Sequence, residues 1–217
     1  MWGWLTAVKE WFSAALDRVL GREEVQAISE LRTSTASPEM SILVSGLASG
    51  QLDVGAWEAS MREAIKAEYI QQYALGRGGL DNMTRQDWGS VGGMIADQYR
   101  YLDGFAGEVA AGNLSEAQIA MRSRMYINSA REAFWRARQR AKGWPKLPAY
   151  PGDGTTVCLT NCQCGWDARA VEDHWEATWY LGEAEHCTSP DMDAKFRPAG
   201  CMERAVLWNP LRLEANA

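Results

Sequence analysis

Along the first 142 residues, apolar positions recur with the three-four spacing of helices, and the breaks between runs carry turn residues. Residues 2–20 place Leu5, Val8, Phe12, Leu16 and Val19 on one side, and Trp2, Trp4 and Trp11 widen that stripe into an amphipathic helix. The polar stretch Arg32–Ser37 predicts a linker or turn. Ser37 and Pro38 then supply an N-cap and a first-turn proline for a short helix over 38–49, ended by Gly50. Asp53 caps the next helix, which runs to about Leu75 with Gly76 as its stop. Its predicted buried stripe is Val54, Trp57, Met61, Ala64 and Ile65.

Residues 76–80 are too rich in glycine for a helix and predict a bend. Thr84 and Asp87 form a capping box ahead of Trp88, Val91, Ile95, Tyr99, Leu102, Ala106 and Val109. Gly89, Gly92, Gly93, Gly104 and Gly107 interrupt that pattern at about 1 kcal/mol each relative to alanine. Close helix packing is the expected reason for tolerating them, with a kink at some of them as the alternative. Ser115 and Gln118 open a further helix to about Lys142, with a seam of Ile119, Tyr126, Ala130, Ala133 and Ala137 that invites close approach. Pro145, Pro148 and Pro151 make residues 143–152 a connector. The predicted fold is mainly α, with an N-terminal helix and linker (1–36), an elongated helical body (37–143) and a cysteine-rich zinc-binding lobe (144–217).

The chain has 217 residues and a formal net charge of -6, which argues against coating nucleic acid by charge alone. No run reaches the roughly 20 apolar residues of a membrane span. Lys9, Glu10, Asp17 and Arg18 interrupt the N-terminal stretch, and no small-residue cleavage site follows it. Mixed charge on its polar face also speaks against membrane docking. The expected compartment is therefore cytoplasm, where thiols stay reduced. One local exception to the acidic balance stands out: Arg122, Arg124, Arg131, Arg136, Arg138, Arg140 and Lys142 face only Glu132 in the same stretch. Such a strip either contacts phosphate backbone or forms a solvated or paired helix face. Eleven tryptophans predict aromatic packing, with Trp166, Trp175, Trp179 and Trp208 in the C-terminal lobe.

All five cysteines fall after residue 157: Cys158, Cys162 and Cys164 in one cluster, Cys187 and Cys201 in the other. Two clusters more than twenty residues apart resemble the halves of a structural Zn2+ site, because thiolate suits a borderline-soft ion with a tetrahedral shell. Which four ligate is open. Cys158 with Cys162, Cys158 with Cys164 and Cys162 with Cys164 are all workable first halves, and His186 stands ready to replace one thiolate. An odd count without a signal peptide disfavours disulfides. A catalytic thiol would need a base that nothing specifies. His174 is not part of an H-E-x-x-H arrangement, and no phosphate-binding loop or nucleophile elbow occurs.

The run Cys158-Leu159-Thr160-Asn161-Cys162-Gln163-Cys164-Gly165-Trp166, then Ala184-Glu185-His186-Cys187 and Cys201, resembles the C-terminus of phage minor head proteins of the Mu F-like and SPP1-type head morphogenesis group. Gly50–Asp53, Tyr99–Leu102 and Met125–Ala130 are similar to that group's helical body, so the resemblance covers roughly residues 40–208. It implies a non-enzymatic role in the virion head, near the portal, assembled in the host cytoplasm. Implied partners are the portal or major capsid protein, packaged DNA and further copies of the chain, with no small-molecule substrate. Relatives of that group tend to have their last cysteines two residues apart. The Thr188–Gly200 insertion here departs from that pattern and puts Cys201 in question as fourth ligand. The competing expectation is a zinc-containing nucleic-acid-binding regulator; a metal-dependent hydrolase or transferase comes third.

Overall fold

The computed structural model describes residues 22–156, 158–171, 174–180 and 204–208. Five helices come first: α1 (Arg22–Ala48), α2 (Val54–Arg77), α3 (Arg85–Ala110), α4 (Glu116–Ser129) and α5 (Arg131–Lys142). Three strands follow: β1 (Gly165–Val171), β2 (His174–Tyr180) and β3 (Arg204–Trp208). The described chain is mainly helical. The amphipathic helix expected over 2–20 lies outside the described residues.

The N-caps Asp53, Thr84 and Ser115 fall where the sequence puts them. Asp53 accepts the Ala56 N–H at 2.7 Å. Thr84 and Asp87 satisfy each other's backbone donors reciprocally, as do Ser115 and Gln118. Trp57, Met61 and Ile65 of the predicted stripe are fully buried. With Tyr69 and Tyr73 they make α2 the central helix, packed between α1, α3 and α5.

Three expectations are corrected. Arg32–Ser37 is helix, and Pro38 sits inside α1 rather than starting a helix, so the expected boundary after residue 36 falls within one element. Gly76 does not stop α2. The helix runs on to Arg77 and ends with Gly78 in the left-handed conformation, φ +81°. The single helix expected from 116 to 142 is two, divided at Ala130. The Ser129 hydroxyl donates to the Tyr126 carbonyl at 2.8 Å, while the Ala130 N–H turns to Ile127 at 3.1 Å. A side chain thus competes for the acceptor that the next helical turn needs.

The glycines of α3 also differ from expectation. A Cβ at Gly89, Gly92, Gly93, Gly104 or Gly107 would meet nothing within 4 Å. These residues leave the α3 backbone bare instead of admitting a closely packed neighbour among the described elements.

Beyond α5 the connector folds back on the helices. Leu147 and Tyr150 are buried, and they join Leu75, Phe134 and Trp135 with the sheet residues Trp166, Ala177 and Trp179 in a second core. The strands form an antiparallel meander in the order β1-β2-β3, with Trp166 opposite Trp179 and Ala168 opposite Ala177. That face packs inward. Arg169 and Glu176 pair at 2.7 Å on the other.

Candidate metal centre and arginine strip

The first cysteine cluster sits where the sheet meets the helices. A 3-10 turn over Leu159–Asn161 carries the chain from Cys158 to Cys162. Leu159 takes φ +50°, a conformation that costs a non-glycine residue roughly 1–3 kcal/mol. Cys162 and Cys164 are buried in the second core, and Cys158 packs half-buried against the same cluster. Two hydrogen bonds from the helices hold this turn. Arg131 Nη1, on a residue only 6% exposed, donates to the Cys162 carbonyl at 2.5 Å. Asn128 Nδ2 donates to Asn161 Oδ1 at 2.6 Å. Trp166 Nε1 donates to the Ala149 carbonyl at 2.9 Å and ties β1 to the connector.

The Cys162 and Cys164 side chains are within hydrogen-bond reach of each other. That contact, and then burial, push the Cys162 thiol far up. A buried thiol pair of this kind ionises only when a cation compensates the charge, which is what a thiolate-bound metal does. Cys162 and Cys164 thus lie together, and Cys158 packs against the same cluster, so all three first halves open in the sequence remain open. Among the described residues no three His, Cys, Asp or Glu side chains are gathered closely enough to hold a metal. His186, Cys187 and Cys201, the expected second half, lie outside the described residues. The donor chemistry therefore fits half of a thiolate site. His174 is on β2, with Nε2 4.0 Å from Glu176 Oε1 and away from the cysteines in sequence and register.

The arginine strip is largely engaged within the molecule. Arg122 makes a two-point contact with Glu108, at 2.7 and 3.0 Å, and lies over the Phe105 ring. Arg131 serves the cysteine turn. Arg136 holds Glu132 at 2.6 Å and covers Tyr150, and Arg138 lies over Phe134. Arg140 reaches Asp87 at 3.4 Å. Arg124 and Lys142 are exposed on the surface. The strip is thus mainly a set of ties among α3, α4, α5 and the segment that follows them.

Sequence reasoning missed the centre of those ties. Asp87, read only as a cap, is 1% exposed and accepts from Thr84 and from the Tyr73 hydroxyl while pairing with Arg77 at 3.1 Å and with Arg140. The Thr84-x-x-Asp87 spacing signalled the cap; the two arginines that meet it come from elements the sequence does not place. A second buried polar ladder joins α1 to α2: the Ser29 hydroxyl donates to Gln72, which donates in turn to Glu68.

No protein family, no curated protein and no solved structure matches the chain. Among the described residues no helix is long and apolar enough to cross a membrane.

Proposed function

We propose that this chain is a non-enzymatic assembly protein of a tailed-phage head, seated near the portal, whose C-terminal lobe is fixed by one structural zinc ion. The cysteine segment carries the reading. Cys158–Trp166 resembles the C-terminus of the head morphogenesis group, and Cys162 and Cys164 present paired sulfurs at the junction of sheet and helices. Zinc would draw its ligands from Cys162 and Cys164, or Cys158, together with Cys187, Cys201 or His186. When bound it supplies charge compensation for buried thiolates and a cross-link for a lobe with little aliphatic core. The helical body offers docking faces to portal or capsid subunits, and any contact with packaged DNA falls first to the exposed Arg124, Arg140 and Lys142.

Two measurements test this reading. Purified, reduced protein should carry about one zinc per chain, lost in a Cys162→Ser, Cys164→Ser double variant. A mass-spectrometric inventory of purified particles should find the chain at a low, fixed copy number. A folded, metal-free sample sinks the zinc assignment, and absence from particles sinks the head assignment.

A further inference from the structure

A cleft of about 630 Å³ lies between α3 and α5, over Tyr69 and Tyr73 of α2. The two helices that flank it run antiparallel, since Asp87 meets Arg140 while Asp97 acts on Glu132. The cleft therefore has two chemically different ends. Arg140, beside Asp87, and Lys146, just past the end of α5, belong to one end; Gln98, Asp97 and Glu132 belong to the other, where Arg100 engages Asp97 through Oδ1 and Arg136 engages Glu132 through Oε1. Residues 89 and 97 are about 12 Å apart along the helix axis, at about 1.5 Å per residue.

The cationic groups are held in place before anything binds. Arg140 Nη1 rests 3.3 Å from the Tyr73 hydroxyl, and its side chain is still 38% exposed. The Arg136 guanidinium carbon lies 4.4 Å from the centroid of the Tyr150 ring, is tethered to Glu132 through Nε, and its side chain remains 42% exposed. Lys146, just past the end of α5, is exposed. On the α3 wall, Gly89 and Gly93 leave the backbone bare, and a Cβ at either would project into open space.

We propose that this cleft binds a nucleotide, with its phosphate at the Arg140–Lys146 end and its base at the Asp97–Glu132 end. Guanidinium and ammonium groups take the phosphate by charge-assisted hydrogen bonds. The exocyclic amino and ring N–H donors of a base match the carboxylates and the Gln98 amide. The exposed plane of Arg136 gives a base a surface to stack on. The volume suits a ligand of that size, since such sites run from about 300 to 1,000 Å³. A simple anion would use the cationic end alone, so the second carboxylate oxygens of Asp97 and Glu132 and the Gln98 amide, as acceptors for a base, are what select a nucleotide. A free nucleotide and one unit of a single strand present the same chemistry. The proposal is independent of the virion assignment.

The test is titration of the full chain at low salt with adenosine monophosphate, inorganic phosphate and a short single-stranded oligodeoxynucleotide. Gly93→Leu fills the cleft from an open helix position and Lys146→Glu reverses an exposed charge; far-UV circular dichroism and the melting temperature confirm that both fold. Either variant should weaken the nucleotide probe by about tenfold or more, and inorganic phosphate should bind wild type about tenfold more weakly than the nucleotide. Binding confined to the mononucleotide identifies a free nucleotide as the ligand. Binding confined to the oligonucleotide, and lost in Gly93→Leu, identifies the single strand. No binding by either nucleotide probe, or affinity unchanged in both variants, overturns the proposal. Inorganic phosphate binding as tightly as the mononucleotide overturns the placement of the base.

Discussion

Gly76 of α2 lies directly against the backbone of Phe134 in α5. A Cβ at Gly76 would fall on the Phe134 carbonyl oxygen, 2.8 Å from the Ala137 Cβ and 3.0 Å from the Arg138 nitrogen. The small-residue seam of Ala130, Ala133 and Ala137, each fully buried, therefore has its counterpart in one glycine on the facing helix. Close approach of the two helices is what lets Leu75 reach Phe134 and Trp135 and begin the second core.

Gly76→Ala should destabilise the protein by about 1–3 kcal/mol or more, because carbonyl and backbone atoms of a packed helix cannot yield as a flexible side chain would. Gly104→Ala, at an open position of α3, should do the reverse and stabilise by about 0.4–1 kcal/mol through helix propensity and a less mobile unfolded chain. Urea denaturation checks both, as midpoints moving in opposite directions at constant slope. A neutral Gly76→Ala would mean that the helices stand further apart.

Asp87 ties the acid range of stability to one side chain. Burial acts to raise its carboxyl, but the Thr84 N–H and hydroxyl, the Tyr73 hydroxyl and Arg77 together hold it below the usual carboxylate range. On acidification the unfolded chain thus takes up this proton before the folded one does. The contribution is fully present above about pH 4 and lost as pH falls through the lower folded value. Asp87→Asn should cost about 3–5 kcal/mol at neutral pH, since it strands Arg77 beside a neutral amide. Its stability should also fall less steeply than that of wild type below about pH 4. Parallel slopes in that range would assign the acid loss to other groups.

The caps, the stripe of α2 and the alanine seam were legible in the sequence because each is a local pattern: a side chain three residues from the N–H it satisfies, or one face repeated every turn. What escaped depends on partners distant in sequence. Pro38 reads locally as a helix start, yet α1 passes through it with Met40 and Val44 packed in the core beyond. Gly76 reads as a stop because its facing carbonyl is nearly sixty residues away. The glycines of α3 read as packing sites, whereas the structure leaves them bare. The sheet had a signal that went unused: Trp166 and Ala168, then Ala177 and Trp179, alternate with period two. The contact between Cys162 and Cys164 had no sequence signal beyond their spacing, because three pairings of the first cysteine cluster were equally open.

Arg131 couples the helices to the cysteine turn, and its removal should loosen one from the other. Arg131→Met keeps most of the side-chain volume while leaving the Cys162 carbonyl without that donor, a change expected to cost about 1–3 kcal/mol. Limited proteolysis should then cut faster in the 143–152 connector, with the helical circular dichroism signal retained. An unchanged cleavage rate would show that Trp166 and Tyr150 hold the junction without the arginine.

Gly165 meets the same junction from the sheet side. It stands opposite Tyr180 in the β1–β2 ladder, and a Cβ on it would strike the Tyr180 hydroxyl and ring and come within 2.7 Å of Trp135 Cζ2. Tyr180 lies edge-on to Trp135, with centroids 6.4 Å apart, so no apolar space is left to receive a methyl group. Gly165→Ala should therefore displace the hairpin from α5 and disturb the perpendicular Trp166–Trp179 pair, whose centroids are 4.9 Å apart. The near-ultraviolet circular dichroism of the tryptophans should weaken while the far-ultraviolet helical signal persists, and stability should fall by about 1–3 kcal/mol. In a Gly165→Ala, Tyr180→Phe double variant the hydroxyl collision is gone but the ring carbon remains. Recovery should be partial, and full recovery would locate the strain in the hydroxyl alone.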